Sequence, residues 1–303
     1  MNRGTRIAAG AILVAIGIAA LLNYTVRDEK VTSYTHTIPL GEPLREIRID
    51  SDELAVDVTF VASASGEGAV RIGGKAASGI VERLQSVRVE NGVLHLQFKE
   101  PWRWRLNFFD FGALNEKQTV TVEMTDEALA ALESFKASSD SGSLHINGAA
   151  ARESNIVSDS GAIRIDSLRG EDVTVKSDSG SIRLERFEGG SLSLRSDSGS
   201  IHAGTVIASL KAVSDSGSIT IDHLTGTGEF RSDSDSIRVV KDDDTGLVAT
   251  SDSGSVRIKV PDSFNGTYDL SSDSGSIRHP DPAGTSGEVI KVRTDSGSIR
   301  IEQ

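Results

Sequence analysis

From Asp172 to Leu184 the chain reads DVTVKSDSGSIRL. Val173 and Val175 alternate with Thr174 and Lys176, and beyond Ser-Asp-Ser-Gly, Ile182 and Leu184 flank Arg183. This period of two marks two half-buried strands joined by a tight corner. The same figure recurs down the chain, with its Asp at Asp140, Asp159, Asp178, Asp197, Asp215, Asp233, Asp252, Asp273 and Asp295, at intervals of 18 to 22 residues. Four apolar columns emerge when the units are aligned on that Asp. Examples are Leu192, Leu210 and Ile290 five residues before it, and Ile156, Leu194 and Val292 three before. Ile163, Ile201 and Ile299 stand four after it, and Ile165, Ile221 and Ile301 six after.

A unit this short cannot bury four apolar side chains alone, whereas stacked copies share a continuous core and exchange backbone hydrogen bonds. The pattern therefore predicts an all-β fold, a single-chain β-solenoid of about nine coils. At about 4.8 Å per coil the array is a rod on the order of 40 Å long. Gly occupies the fourth corner position in eight units and Asp235 in the ninth. That pairing suggests a left-handed corner, because Gly and, less readily, Asp tolerate positive φ.

A column of carboxylates about 5 Å apart repels itself by roughly 1 kcal/mol per neighbour even in water. Arg164, Arg183, Arg238, Arg257, Arg278 and Arg300 stand five residues after their motif Asp, with His145, His202 and Thr220 in the other units. The expectation is an Asp column neutralised by this Arg column, with Asp159, Arg164, Asp178, Arg183, Asp252 and Arg257 on a candidate interaction surface.

The first 137 residues lack the period. Ile7 to Leu22 is uncharged and apolar, preceded by Arg3 and Arg6. With Asn23 to Val26 it reads as a transmembrane signal anchor over 7–26, after a cytoplasmic tail at 1–6 and before a linker at 27–40. The arginines then direct everything beyond it out of the cell as a single-pass protein. A cleaved signal peptide, leaving a secreted or periplasmic protein, is the rival. Residues 41–137 alternate like strands at Glu46–Phe60 and Ser86–Phe98, with a hairpin signal at Glu90–Val93. They are read as a β-rich cap on the array at 138–303. Within it, Thr125–Glu133 suggests a short helix with Asp126 as N-cap. PWRWRLNFFDFG, from Pro101 to Gly112, sets Trp102 and Trp104 against Arg103 and Arg105. It is a strand of the cap's own core or a membrane- or glycan-binding loop, so both tryptophans join the candidate surface.

Of 303 residues, 37% are hydrophobic, which suffices for a core, and the net charge of −12 argues against nucleic acid as partner. With no cysteine, disulfides and thiolate chemistry are excluded. The six histidines show no metal-ligand spacing, and no phosphate-binding or serine-nucleophile motif is present. Neither cofactor nor metal is expected. Asp242–Gly246, DDDTG, has the composition of a calcium loop but not its ligand spacing, and reads as a solvated turn.

Eight of nine units carry [ST]DSG followed by an apolar–polar–apolar triplet. Over about residues 40 to 303 this resembles the putative adhesin family of bacterial envelope proteins, a domain of unknown function with β-strand repeats. The resemblance implies a β-solenoid, extracytoplasmic placement, a link in some relatives to envelope stress, and no catalytic residues to carry over. The resulting expectation is a non-enzymatic, membrane-tethered binding or scaffold protein. Its partners are the membrane through the N-terminal helix, an envelope protein or glycan, and a second copy at the C-terminal end, where IRIEQ closes on a strand. The alternatives are a β-helical polysaccharide lyase or hydrolase and a calcium-binding repeat protein.

Overall fold

Each arm of the repeat forms a strand whose hydrogen-bonded neighbours are the equivalent arms of other units. Ile163 lies opposite Ile182, Ile182 opposite Ile201 and Ile201 opposite Ile219, all in parallel register. The computed structural model describes residues 31–41, 43–63, 66–99, 117–281 and 284–303. Among the described residues, all 21 strands belong to one sheet, wound as the predicted β-solenoid.

The four aligned columns point inward and are buried through most of the array. A fifth column stands nine residues after the motif Asp, at Ala149, Leu168, Phe187, Val206 and Leu224, each at most 1% exposed. Period-two alternation ends before this position, which is why the arms alone do not reveal it. The serine before each motif Asp is also inward. Ser158, Ser177, Ser196, Ser214 and Ser232 are fully buried.

That serine explains the corner. Ser196 Oγ accepts from the Gly199 amide at 2.9 Å and donates to the Gly180 carbonyl of the preceding coil at 3.2 Å. The same pair of bonds recurs at Ser214, Ser251 and Thr294. The reason for the glycine differs from the sequence expectation, because no motif glycine has positive φ. A Cβ on Gly161, Gly180 or Gly199 would instead overlap the carbonyl of the corner glycine one coil earlier. Close backbone approach selects glycine here. Asp235 is not left-handed either, and in its unit the amide-to-Ser232 bond lengthens to 3.2 Å.

The N-terminal segment extends the same columns instead of sitting on them as a separate cap. Glu46–Ser51 lies between Ser134–Ser139 and Val93–Phe98, and Val56–Ala62 between Leu144–Ala150 and Gln118–Met124. These two layers are stacked in reverse of their sequence order. Beyond them the end is closed. Ala69–Ala77 pairs antiparallel with Gln118–Met124, Val31–Pro39 pairs with Ala69–Ala77, and a helix, Ser78–Ser86, packs Ile80, Val81 and Leu84 over Val93–Phe98. Within the predicted stretch Ser86–Phe98, strand structure begins only at Val93. The Glu90–Val93 signal yields a single bridge around left-handed Asn91 and Gly92. The short helix is Asp126–Ala130, and its N-cap is Thr125, whose side chain accepts from the Ala128 amide at 3.2 Å.

The other end is also crossed. Val289–Thr294 of the ninth unit pairs with Leu247–Ser251 of the seventh on one side and Thr267–Ser272 of the eighth on the other. Ile299–Glu302 is likewise inserted between Val256–Lys259 and Ile277–Arg278. The C-terminal strand is therefore interior, and the eighth unit forms the outer coil, with Ile277 39% exposed. The expected docking end at IRIEQ is corrected accordingly, because the extra residues of the eighth and ninth units let the chain skip a layer and return.

The expected anchor at 7–26, its tail and residues 27–30 of the linker, together with Trp102 and Trp104, lie outside the described residues, while the rest of the expected linker is chiefly the strand Val31–Pro39, fixed by its pairing with Ala69–Ala77. Among the described residues no helix is long and apolar enough to cross a membrane.

Candidate interaction surface

On a strand, residues i and i+2 share a face, so an outward charge finds its nearest partner two positions along. Arg164 Nε meets Asp166 at 3.1 Å and Arg183 Nε meets Glu185 at 2.6 Å. At the corner, Lys176 reaches Asp178 at 2.7 Å, Arg195 reaches Asp197 at 3.1 Å and Arg231 reaches Asp233 at 2.8 Å. Register then carries the pairs from coil to coil. Arg164 extends to Glu185 at 3.6 Å and Arg195 to Asp215 at 3.7 Å, while His145 bridges Asp57 at 2.9 Å and Asp166 at 2.8 Å.

The neutralisation of the motif Asp by the Arg five residues on is thus replaced by two parallel ladders. Each has its own acids, one along the strand after the corner and one at the corner. The sequence alignment already held the signal in Asp166, Glu185, Asp222 and Glu302, all seven residues after their motif Asp. Each exposed pair contributes on the order of 0.2–1 kcal/mol.

Local pairing sets the protonation of the acids. Glu46 is held down to about 2 chiefly by the Arg48 guanidinium at 2.6 Å, with Lys136 at 2.9 Å adding to it. Burial pushes the Asp166 carboxyl up, but hydrogen bonds from His145 and Arg164 outweigh it and leave the group below its ordinary value. At the start of the Asp column Lys99 lies between Asp52 at 3.3 Å and Asp140 at 3.2 Å.

Asp242–Gly246 departs from its expected reading as a solvated turn. The side chain of Lys241 is fully buried, and its Nζ contacts the Gly226 carbonyl, Thr245 Oγ1 at 2.7 Å and Asp243 Oδ1 at 2.5 Å. Burial pushes its pKa down despite the attraction of Asp243. The loop is organised around an internal ammonium supplied by its own chain. Its sequence trace is a lysine at a position that Val260 fills with an apolar side chain in the next unit.

Of the named surface residues, Arg164 and Arg183 are direct neighbours in register, and Asp159 and Asp178 occupy consecutive corners. Asp252 and Arg257 lie further along the same two lines. The residues form a surface running along the rod and do not converge on a cleft. Among the described residues no group of three or more His, Asp or Glu is arranged to hold a metal ion.

Corner, columns and register together characterise a known domain, and its family model matches residues 44–302. The chain belongs to the Toastrack DUF4097 family. One solved structure shares this fold across nearly the whole chain. A putative lipid binding protein of Parabacteroides distasonis is 18% identical with a TM-score of 0.51, covering 90% of this chain and 97% of its own. A putative adhesin of Bacteroides fragilis is 15% identical with a TM-score of 0.40, covering 90% and 98%. A putative adhesin of Parabacteroides merdae is 11% identical with a TM-score of 0.38, covering 91% and 98%. No curated protein matches the chain.

Proposed function

We propose that this toastrack protein is a non-enzymatic binding rod of the bacterial cell envelope, tethered to the membrane by residues 7–26 with its coils outside the cell. The observation that carries the binding role is the distribution of charged side chains. They stand in register along the coils instead of gathering around a reacting centre, which suits an extended ligand contacted repeatedly and not a substrate held at one point. The tether rests on the apolar run from Ile7 to Leu22 behind Arg3 and Arg6. The descriptions of the relatives as adhesins or as a lipid-binding protein agree with a binding role. A part in envelope stress is the finer element of the proposal, tested by following the protein's abundance after challenge with a membrane-active peptide.

The direct experiment is capture of envelope components by the full chain in detergent, with fractionation and protease accessibility on intact cells. Recovery in the membrane fraction with the coils digested from outside supports the reading. A soluble or protected protein, or hydrolysis of a captured glycan, would overturn it.

A further inference from the structure

The ladder that begins at Asp57 and His145 does not stay balanced to its far end. Its outward position runs through Arg164, Arg183, His202 and Thr220, then Arg238, Arg257, Arg300 and Arg278 in spatial order. In the earlier coils the residue two further along is the counter-charge, Asp166 for Arg164 and Glu185 for Arg183, and His202 reaches Asp222, two along from Thr220 in the next coil. In the last coils that position holds Val240 beside Arg238 and Lys259 beside Arg257, and the eighth unit has Pro280. Only Glu302 remains, and it pairs with Arg300. Arg238, Arg257 and Arg278 are exposed, and among the described residues none forms an ion pair or side-chain hydrogen bond. The acid column at the corner lies beyond the intervening serines, and no ion pair joins it to these arginines.

A protein of net charge −12 thus concentrates four guanidiniums on adjacent strands, about 4.8 Å apart, over roughly 14 Å of its length. Stacked like charges repel, and for three of the four, Arg238, Arg257 and Arg278, the relief used elsewhere on the same face is missing. Between the last three arginines of the ladder runs a groove of about 170 Å³ lined by Arg257, Arg278 and Arg300 with Ser255, Ser276 and Ser298, and Arg238 lies on the next strand beside Arg257. Each coil therefore offers a guanidinium, which binds oxyanions through paired N–H groups, and a hydroxyl two residues before it.

We propose that this groove and the adjoining Arg238 bind a linear polyanionic glycan, one acidic sugar chain lying along the rod with successive oxyanions on Arg238, Arg257, Arg300 and Arg278. A compact anion reaches one or two of these groups; only a chain spans all four. The inference rests on the binding-rod reading and names its ligand class.

The test titrates the full chain with polygalacturonate at low ionic strength, alongside galacturonate, inorganic phosphate and a single-stranded oligonucleotide. The variant Arg238→Gln/Arg257→Gln/Arg278→Gln is expected to bind the polymer at least about tenfold more weakly. Arg71→Gln/Arg152→Gln, which removes exposed arginines that already have acids in Glu123 and Glu153, should change binding less than about twofold. Since the first variant removes mutually repelling charges, its melting temperature should hold or rise. Independently of any variant, wild-type binding should weaken at least about tenfold between about 20 and 200 mM salt. Equal losses in the two variants, no polymer binding by the wild type, or free anions or the oligonucleotide bound as tightly as the polymer would each overturn the assignment. If envelope capture persists in the triple variant, the groove is refuted while the binding-rod reading stands.

Discussion

Replacing Gly199 with alanine separates two reasons a corner can demand glycine. The added Cβ would overlap the carbonyl group of Gly180 one coil away and crowd the Ser181 amide. All of these atoms are backbone, so no side-chain rotation makes room. The coils must part locally, stretching the Ser196 bonds to the Gly199 amide and the Gly180 carbonyl. Overpacking of this kind costs about 1–3 kcal/mol. In a chain of this size that lowers the melting temperature by roughly 2–10 °C, readable by circular dichroism. Gly79 supplies the control, since it lies in the Ser78–Ser86 helix with nothing within 4 Å of a built Cβ. Gly79→Ala should hold or raise stability, by up to about 1 kcal/mol. The deciding comparison is Gly199→Asn, because asparagine tolerates left-handed backbone better than alanine but is larger. Close approach predicts that Asn is at least as damaging as Ala. An Asn variant melting with the wild type while Ala falls would refute that account of the corner.

Lys241→Met removes the only cation facing Asp243 within the loop and should cost about 3–5 kcal/mol by denaturant titration, with Lys241→Met/Asp243→Asn recovering part of the loss. Glu46 has a depressed folded pKa, so its stabilisation is fully present above about 4.5 and disappears as pH falls toward about 2. Melting temperature against pH should therefore drop more steeply across that interval for the wild type than for Glu46→Gln, and superimposable profiles would contradict the pairing with Arg48. Deleting residues 294–303 extracts the strand Ile299–Glu302 from between the seventh and eighth units. It should destabilise the protein more than deleting 261–303, which leaves the seventh unit as the terminal coil. The opposite ranking would contradict the crossed strand order.

The nine units and their inward columns were legible because period-two alternation and a fixed interval are local signals that stacking reinforces. The corner was legible as a corner, but not why it takes glycine. Neither the steric contact between Gly161 and Gly142 nor the bond from Ser196 to Gly180 exists until two coils meet. Ion pairing was misassigned for a related reason. Alignment on the Asp drew attention to residues at constant offset from it, whereas strand geometry pairs each charge with the one two positions along, as in Arg183 and Glu185. Strand order at the two ends could not be read at all. The spacing of Ser272 and Thr294 does not say that Ser272 will donate to Gly297, or Thr294 to Gly254. Lys241 was hidden because a buried ammonium and a solvated one look alike in one dimension.

The crossed order at the far end has a consequence for assembly. While the chain is being made, the eighth unit emerges before the strands that will separate it from the seventh. It has no correct neighbour until Val289–Thr294 and Ile299–Glu302 arrive. These two strands enter as a wedge between coils made before them, and that end of the array closes only when both are in place. A product that stops before Val289 keeps its earlier coils but leaves the eighth unit without a seat.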